Sequence, residues 1–393
     1  MQKGRQNNKR FNRRKNKAAR HQNPKRNVLI LTHNFGGGAT IFLNHYIKQH
    51  FQKCNVYILQ SLRNGQLVCT ENISFRRFML KENADDLSNL VKNFNVTEIF
   101  VNHLVHFNLS IIGNWLLTCG LPYTFFVHDF FCLCADYHIG CQTQFCAKSD
   151  THAYCRRKFA ERGYPAVKIE DWRKFFLALL SPAKKVIAPT TFVANIVKKI
   201  YPSLIFEVEP HYLTQPLKKT FRPEFVLRDK LRVIFLGNMF DEKGEEYLLK
   251  LNEFIREENL PLEFVVIGKY TGKMTVGTKK GIIFIGEYDY RRVSDLLAEF
   301  ETAFVAVLSI VPESYCYTAS EAILSGYPVL TSNIGAQAFR VHKNSCGWVM
   351  NLTNQDRGFS DLKNFLRAIC TLGGRREILH RAEQTVNFVN GME

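Results

Sequence analysis

No long hydrophobic run occurs in this 393-residue chain. Its longest apolar stretches, such as "AFVAVL" at 303–308, fall far short of the ~20 residues needed to span a bilayer. No secretory leader is visible. The basic start has no apolar segment behind it, and "VLIL" at 28–31 is too short to serve as one. The expected location is cytoplasmic, or peripheral on the inner face of the plasma membrane. Acidic residues are missing from residues 1–26, where eleven Lys and Arg stand, so the formal net charge of +18 leaves only +7 for the other 367 residues. That composition predicts a disordered basic tail. Anionic lipid is a candidate partner for it, at roughly 1 kcal/mol per basic residue near the surface. A purely solvated tail is equally compatible, and nucleic acid, bound through counterion release, is not expected.

Recognisable metal and phosphate motifs are also missing. The chain has no Asp-x-Asp, no G-x-G-x-x-G and no G-K-[ST] ending of a P-loop. Eleven cysteines are scattered along it, which argues against a disulfide scaffold. Cys132, Cys134, Cys141, Cys146 and Cys155 cluster with His128, His138 and His152, but their spacing fits no standard zinc pattern. Buried or loop-lining thiols are expected, and no metal site.

What is present is a rhythm. Short β-rich runs at 28–31, 54–61, 96–105, 122–130 and 184–190 alternate with helical stretches. After a break rich in Pro, Lys and Thr, the rhythm restarts with runs at 231–239, 262–270, 281–288, 302–310 and 327–335. Such alternation predicts an α/β protein with parallel, doubly wound sheets. The expected division is a tail at 1–26, a first domain at 27–212, a linker at 213–230 and a second domain at 231–393. No sequence repeat relates the two domains.

Ligands of such sheets bind beyond the carboxyl ends of the strands. Three loops fall there. "NFGGGA" (34–39) places Gly36, Gly37 and Gly38 before a helix, where backbone N–H groups can approach a phosphate. "GNMFDEKG" (237–244) puts Lys243 at a helix start. "PESYCYTASEAILSGYPVL" (312–330) sets Glu313 ahead of a helix expected to begin near Ser314 or Tyr315, with Glu321 two turns inside. The N–H groups around Tyr315, Cys316 and Tyr317 would lack helical partners and could seat a phosphate. Two carboxylates at this spacing suit the hydroxyls of a sugar and a ribose, although a capping glutamate and a solvated one have the same spacing.

Region 231–347 resembles the donor-binding half of GT-B nucleotide-sugar glycosyltransferases, most closely glycosyltransferase family 4, a retaining group. The resemblance rests on G-x5-K-G (237–244), "VVIGKY", "IIFIGEY" and P-E-x7-E-A-x3-G-x-P-V (312–329). "TFFVHDFFCLC" (124–134) and "VIAPT" (186–190) resemble the acceptor half of a bacterial cell-surface polysaccharide subset. The resemblance implies two Rossmann-like domains facing a central cleft. It implies that Glu313 holds the transferred sugar, that Glu321 holds the ribose, and that Lys243 neutralises the diphosphate. Gly36–Gly38 would face that diphosphate from the other domain, and His128 would line the reacting face of the sugar. Where the family often has arginine, this chain has Asn238. The implied function is metal-independent transfer of a hexose-type sugar to a glycan or lipid-linked acceptor in surface polysaccharide synthesis. A non-catalytic scaffold and a nucleotide-sugar epimerase are the alternatives on the same fold.

Overall fold

The computed structural model describes residues 26–34, 37–62, 65–139, 151–211, 217–270 and 277–392. The expected basic tail, apart from Arg26, lies outside these residues, as do Gly36, Cys141 and Cys146.

Two sheets form two lobes. The first contains β1 (Asn27–Thr32), β2 (Asn55–Ser61), β3 (Gln66–Glu71), β4 (Arg77–Lys81), β5 (Glu98–Val101), β6 (Tyr123–Phe126), β7 (Lys185–Ala188) and β8 (Glu207–Val208). Their order is β4-β3-β2-β1-β5-β6-β7-β8. The second contains β9 (Leu231–Leu236), β10 (Leu262–Ile267), β11 (Gly277–Lys279), β12 (Ile282–Gly286), β13 (Thr302–Val307), β14 (Val329–Ser332) and β15 (Gly347–Met350). Their order is β11-β12-β10-β9-β13-β14-β15. The alternation rule carries the parallel strands except β8 and β15, and it misses three antiparallel ones as well. β3 runs antiparallel to both its neighbours, extending the first sheet by a hairpin, and β11 pairs antiparallel with β12. Hairpin strands carry no crossover helix, so the strand–helix rhythm does not announce them.

The central strands are apolar because helices cover both faces. Along β1 the period of two sends Val28 and Ile30 against α1 (Gly37–His50), where Phe42, Leu43 and Ile47 are buried. Leu29 and Leu31 face the opposite core, with residues of α2 (Ala84–Asn93), α3 (Leu109–Thr118), α5 (Ile169–Leu180) and α6 (Thr191–Ile200). α4 (Thr151–Glu161) adds Phe159 there. Strand β9 repeats the division. Val233 and Phe235 join a core with α7 (Glu245–Glu257) and α11 (Gln355–Ile369). Ile234 and Leu236 join one with α8 (Val293–Glu299) and α9 (Tyr317–Leu324). Helix α10 (Ala336–Lys343) flanks β14 and β15, while α12 (Leu372–Asn390) packs on α9, α11 and β15.

The strand-like runs at 96–105 and 122–130 stop pairing early, at Val101 and Phe126. The residues that follow leave the sheet for the space between the lobes. Several expected strand ends are therefore cleft loops.

Candidate functional site

Glu313 sits on the loop after β13. Its backbone forms a lone parallel bridge with Gly335, and Ala336 N donates to Glu313 O at 2.8 Å. Gly335 has φ +104°, and a Cβ there would lie 2.5 Å from Glu313 N, so only glycine permits this approach. The Glu313 carboxylate accepts from Ser309 Oγ at 2.6 Å and pairs with Lys243. Lys243 closes a 3-10 turn, Asp241–Lys243, and Gly244 (φ +87°) caps α7 behind it. A Cβ on Gly244 would lie 2.3 Å from Leu308 O, so its absence lets the lysine turn close onto the end of β13. Burial disfavours both charges, yet the attraction between them prevails. It holds Lys243 above its ordinary pKa and Glu313 below its own.

Helix α9 begins at Tyr317, two or three residues later than the spacing predicts. Cys316 precedes it in the left-handed conformation, φ +65°, which a helix cannot continue. The N–H groups without helical acceptors therefore centre on Tyr317–Ala319 rather than Tyr315–Tyr317. Ser314, Tyr315 and Cys316 form the approach to the helix. Arg340 of α10 holds that approach, donating to the carbonyls of Tyr315 and Cys316 and to Ser320 Oγ, with its guanidinium 4.5 Å from the Tyr315 ring centre. Glu321 lies one turn inside α9, almost fully buried, and accepts from Tyr288 OH at 2.8 Å. Burial, only partly offset by that hydrogen bond, raises its pKa to about 7. Asn238 accepts from the backbone N–H of Lys269 at 3.1 Å and so braces the adjacent loop.

The first lobe supplies the opposite wall. His128 is buried, with Nε2 2.7 Å from Asn102 Oδ1 and Nδ1 3.2 Å from His211 Nε2. Both ring nitrogens are thus engaged within the protein, and burial holds the ring neutral. Beside it His103 accepts from Val105 N at Nδ1 and meets Asp129 at 3.1 Å through Nε2. Asp129 stays below its usual pKa despite burial, because His103 and the Phe131 N–H offset that cost. Gly37 has φ +73° and starts α1. Gly38 faces a side chain of the other lobe: a Cβ there would meet the Tyr317 ring at 2.9 Å.

Contacts between the lobes converge here. Tyr317 OH donates to Gly38 O at 3.3 Å, Thr190 Oγ1 donates to Ser314 O at 2.9 Å, and His211 stacks near the Tyr317 ring. A cavity of about 640 Å³ runs between the two walls. It brings together Gly37, Gly38, His128, Asn238, Lys243, Glu313 to Tyr317, and Glu321. Tyr288, His211 and Gly335 escape the sequence reading. Nothing local marks a lone tyrosine or histidine, whereas the glycine of "NIG", directly after a strand-like run, carries the usual mark of a tight turn. Among the described residues no cluster of three His, Cys, Asp or Glu side chains is arranged to hold a metal ion. Cys132, Cys134 and Cys155 are buried.

Residues 230–372 match the family model described as Glycosyl transferases group 1, little more than a third of the chain. No curated protein sequence matches it. Among solved structures, WaaG, "a glycosyltransferase involved in lipopolysaccharide biosynthesis", is 16% identical with a TM-score of 0.61. The match covers 93% of this chain and 95% of WaaG. HepE of Anabaena, in complex with UDP and glucose, is 14% identical with a TM-score of 0.57, covering 93% of this chain and 97% of HepE. Sucrose-phosphate synthase of Thermosynechococcus elongatus is 14% identical with a TM-score of 0.56, covering 94% and 99%. The chain thus has the GT-B fold, and the segment that carries Lys243, Glu313 and Glu321 is the one similar to group 1 glycosyl transferases.

Proposed function

We propose that the protein transfers a hexose-type sugar from a nucleotide-diphosphate donor to a glycan or lipid-linked acceptor, with retention at the anomeric carbon, in surface polysaccharide synthesis. The observation that carries this reading is the Lys243–Glu313 pair, held at the cavity beside the open N-terminus of α9. The group 1 match over the same residues supports it, as does the presence of UDP and glucose in the HepE complex of the same fold.

Breaking the anomeric C–O bond leaves positive character on the sugar and negative charge on the diphosphate. Donor binding exchanges one ion pair for two interactions. The Lys243 ammonium turns to the diphosphate, and the freed Glu313 carboxylate accepts from sugar hydroxyls. The N–H groups of Tyr317–Ala319 and the dipole of α9 add to the stabilisation of the leaving group. Glu321 takes the ribose, and Gly37 and Gly38 close over the phosphates from the other lobe. The acceptor oxygen attacks from the face the diphosphate leaves, and the departing phosphate oxygen takes its proton. No protein base is required, so His128 lines the site rather than exchanging protons. Lysine and backbone dipoles do the work a divalent ion does elsewhere, and activity should survive chelation.

A thermal-shift series with UDP-, GDP-, ADP- and TDP-sugars tests donor binding, since a ligand of the folded state raises its apparent stability. A rise with one nucleotide family is expected, and no rise with any of them overturns the reading. NMR of the products then separates the alternatives. Slow donor hydrolysis without acceptor rules out a scaffold, whereas recovery of an epimerised donor makes the protein an epimerase.

A further inference from the structure

A row of buried polar side chains crosses the first lobe at the carboxyl end of its sheet. Thr32 closes β1, Asn102 follows β5, and His128 and His211 stand on the loops after β6 and β8. All four are buried. Asn102 Nδ2 donates to Thr32 Oγ1 at 2.9 Å, Asn102 Oδ1 faces His128 Nε2 at 2.7 Å, and His128 Nδ1 faces His211 Nε2 at 3.2 Å. The row ends at His211 Nδ1, which is closed to solvent and has no hydrogen-bond partner among the described residues. Few buried polar side-chain atoms are left so. Of those among the described residues, this is the one whose residue lines the cavity between the lobes.

The row has a direction. The Asn102 carbonyl oxygen only accepts, so His128 Nε2 carries a proton. Burial keeps that ring neutral, which leaves its Nδ1 bare, and His211 Nε2 must donate to it. Burial, reinforced by the charge of Arg340, lowers the His211 pKa to about 3, so this ring too has a single proton, and that proton is engaged with His128. His211 Nδ1 is therefore a lone pair without a donor. The two nitrogens of an imidazole point to different sides of the ring, so the bond through Nε2 turns Nδ1 away from His128. From the second lobe Tyr315 and Tyr317 pack on the His211 ring, 4.8 and 5.3 Å between ring centres. Tyr317 also seats on Gly38, so a ligand that parts the lobes at this point uncovers His211.

We propose that His211 Nδ1 accepts a hydrogen bond from a hydroxyl of the transferred sugar, and that the Thr32–Asn102–His128 row fixes the tautomer this requires. The proposal rests on the sugar-transfer reading and adds a specificity residue to it. A phosphate oxygen has no proton to offer a bare nitrogen, so the diphosphate is not the partner. The attacking hydroxyl of the acceptor gives its proton to the departing phosphate. The O–H donors that remain beside Tyr315 and Tyr317 are those of the sugar ring, which Glu313 holds from the second lobe. His128, with both nitrogens engaged, acts through His211. A donor without the matching hydroxyl leaves the nitrogen unpaired in a closed site. Such a site rejects an analogue that lacks the O–H more strongly than one that differs by a methylene.

Two measurements on the full chain test this. Nitrogen-resolved NMR of the labelled protein, without donor, should show His211 protonated at Nε2 and bare at Nδ1, and the opposite tautomer overturns the proposal. The signals are assigned by their loss in His211→Phe or, should that ring not fit, in His211→Leu. Donor affinity is then measured for the nucleotide-sugar of the UDP, GDP, ADP and TDP series that gives the largest thermal shift, and for its monodeoxy and monodeoxyfluoro forms at each sugar position. At one position both forms should lose at least about tenfold against the parent, since neither can donate. In the His211 variants that loss should shrink to within about threefold, while losses at positions held by Glu313 persist. Parent donors that bind with no loss coupled to His211 overturn this proposal alone. So does a deoxyfluoro form that binds like the parent at the coupled position, since fluorine accepts and cannot donate. No shift with any parent donor strikes the sugar-transfer reading itself, on which this one stands.

Discussion

Lys243 and Glu313 pair at the cleft, and the proposed transfer gives each a separate task once a donor binds. Lys243→Ala should lower kcat about 10²–10³-fold, the usual effect of removing one stabiliser of a developing anion. Single-turnover kinetics separates that loss from weaker donor binding. Glu321 gives a pH signature. Burial lifts its pKa from 4.5 to about 7, so between those values the folded protein holds a proton that the unfolded chain has released. Stability contributed by this carboxyl is thus present below about pH 4.5 and is lost as pH rises through about 7. If the carboxylate is the form that accepts ribose hydroxyls, nucleotide affinity should climb as pH rises toward 7 and level off above it. Calorimetry in buffers of different ionisation heat should detect the released proton, and Glu321→Gln should remove both the proton release and the slope.

At the scale of elements, two backbone positions hold the site. Gly335 lets its backbone bridge that of Glu313, where a Cβ would lie 2.5 Å from Glu313 N, and so fixes the loop that carries the carboxylate. Gly335→Ala should reduce kcat/KM at least about tenfold, with far-UV circular dichroism unchanged. Cys316 starts α9 from a left-handed conformation. Cys316→Val should destabilise by about 1–2 kcal/mol, since a β-branched residue resists that conformation, whereas Cys316→Gly should hold or raise Tm. Thermal unfolding of the two variants side by side checks the assignment. The late start of α9 belongs to the same account. The spacing of Glu313 and Glu321 was legible, but not the turn at Cys316, because it follows from contacts with Arg340 and β13 rather than from neighbours in the chain.

Across the whole molecule, the lobes meet through a few bonds beside the cavity. Thr190 caps α6, accepting from Val193 N at 3.2 Å, and its hydroxyl also donates to Ser314 O of the other lobe. Thr190→Ser should preserve both. Thr190→Val should remove the cross-lobe bond and the cap together, costing about 1 kcal/mol of stability and widening the distribution of lobe separations seen by small-angle scattering. Tyr317 seated on Gly38 poses a related constraint. The diphosphate proposed to sit between the glycine loop and α9 has to displace this ring.

The sequence alone determined what depends on short-range pattern. The period-two apolar strands with helices between them, the carboxylate spacing at 313 and 321, and the G-x5-K-G turn all follow from residues close together in the chain. The tertiary structure decided what joins distant segments. Tyr288 reaches Glu321, Gly335 admits Glu313, and His211 meets His128. None of these pairs shares a local period, because each forms only when the sheets have stacked their strands in a non-sequential order. Burial by the whole fold then shifts Glu321 toward neutrality and allows Lys243 and Glu313 to stay charged together.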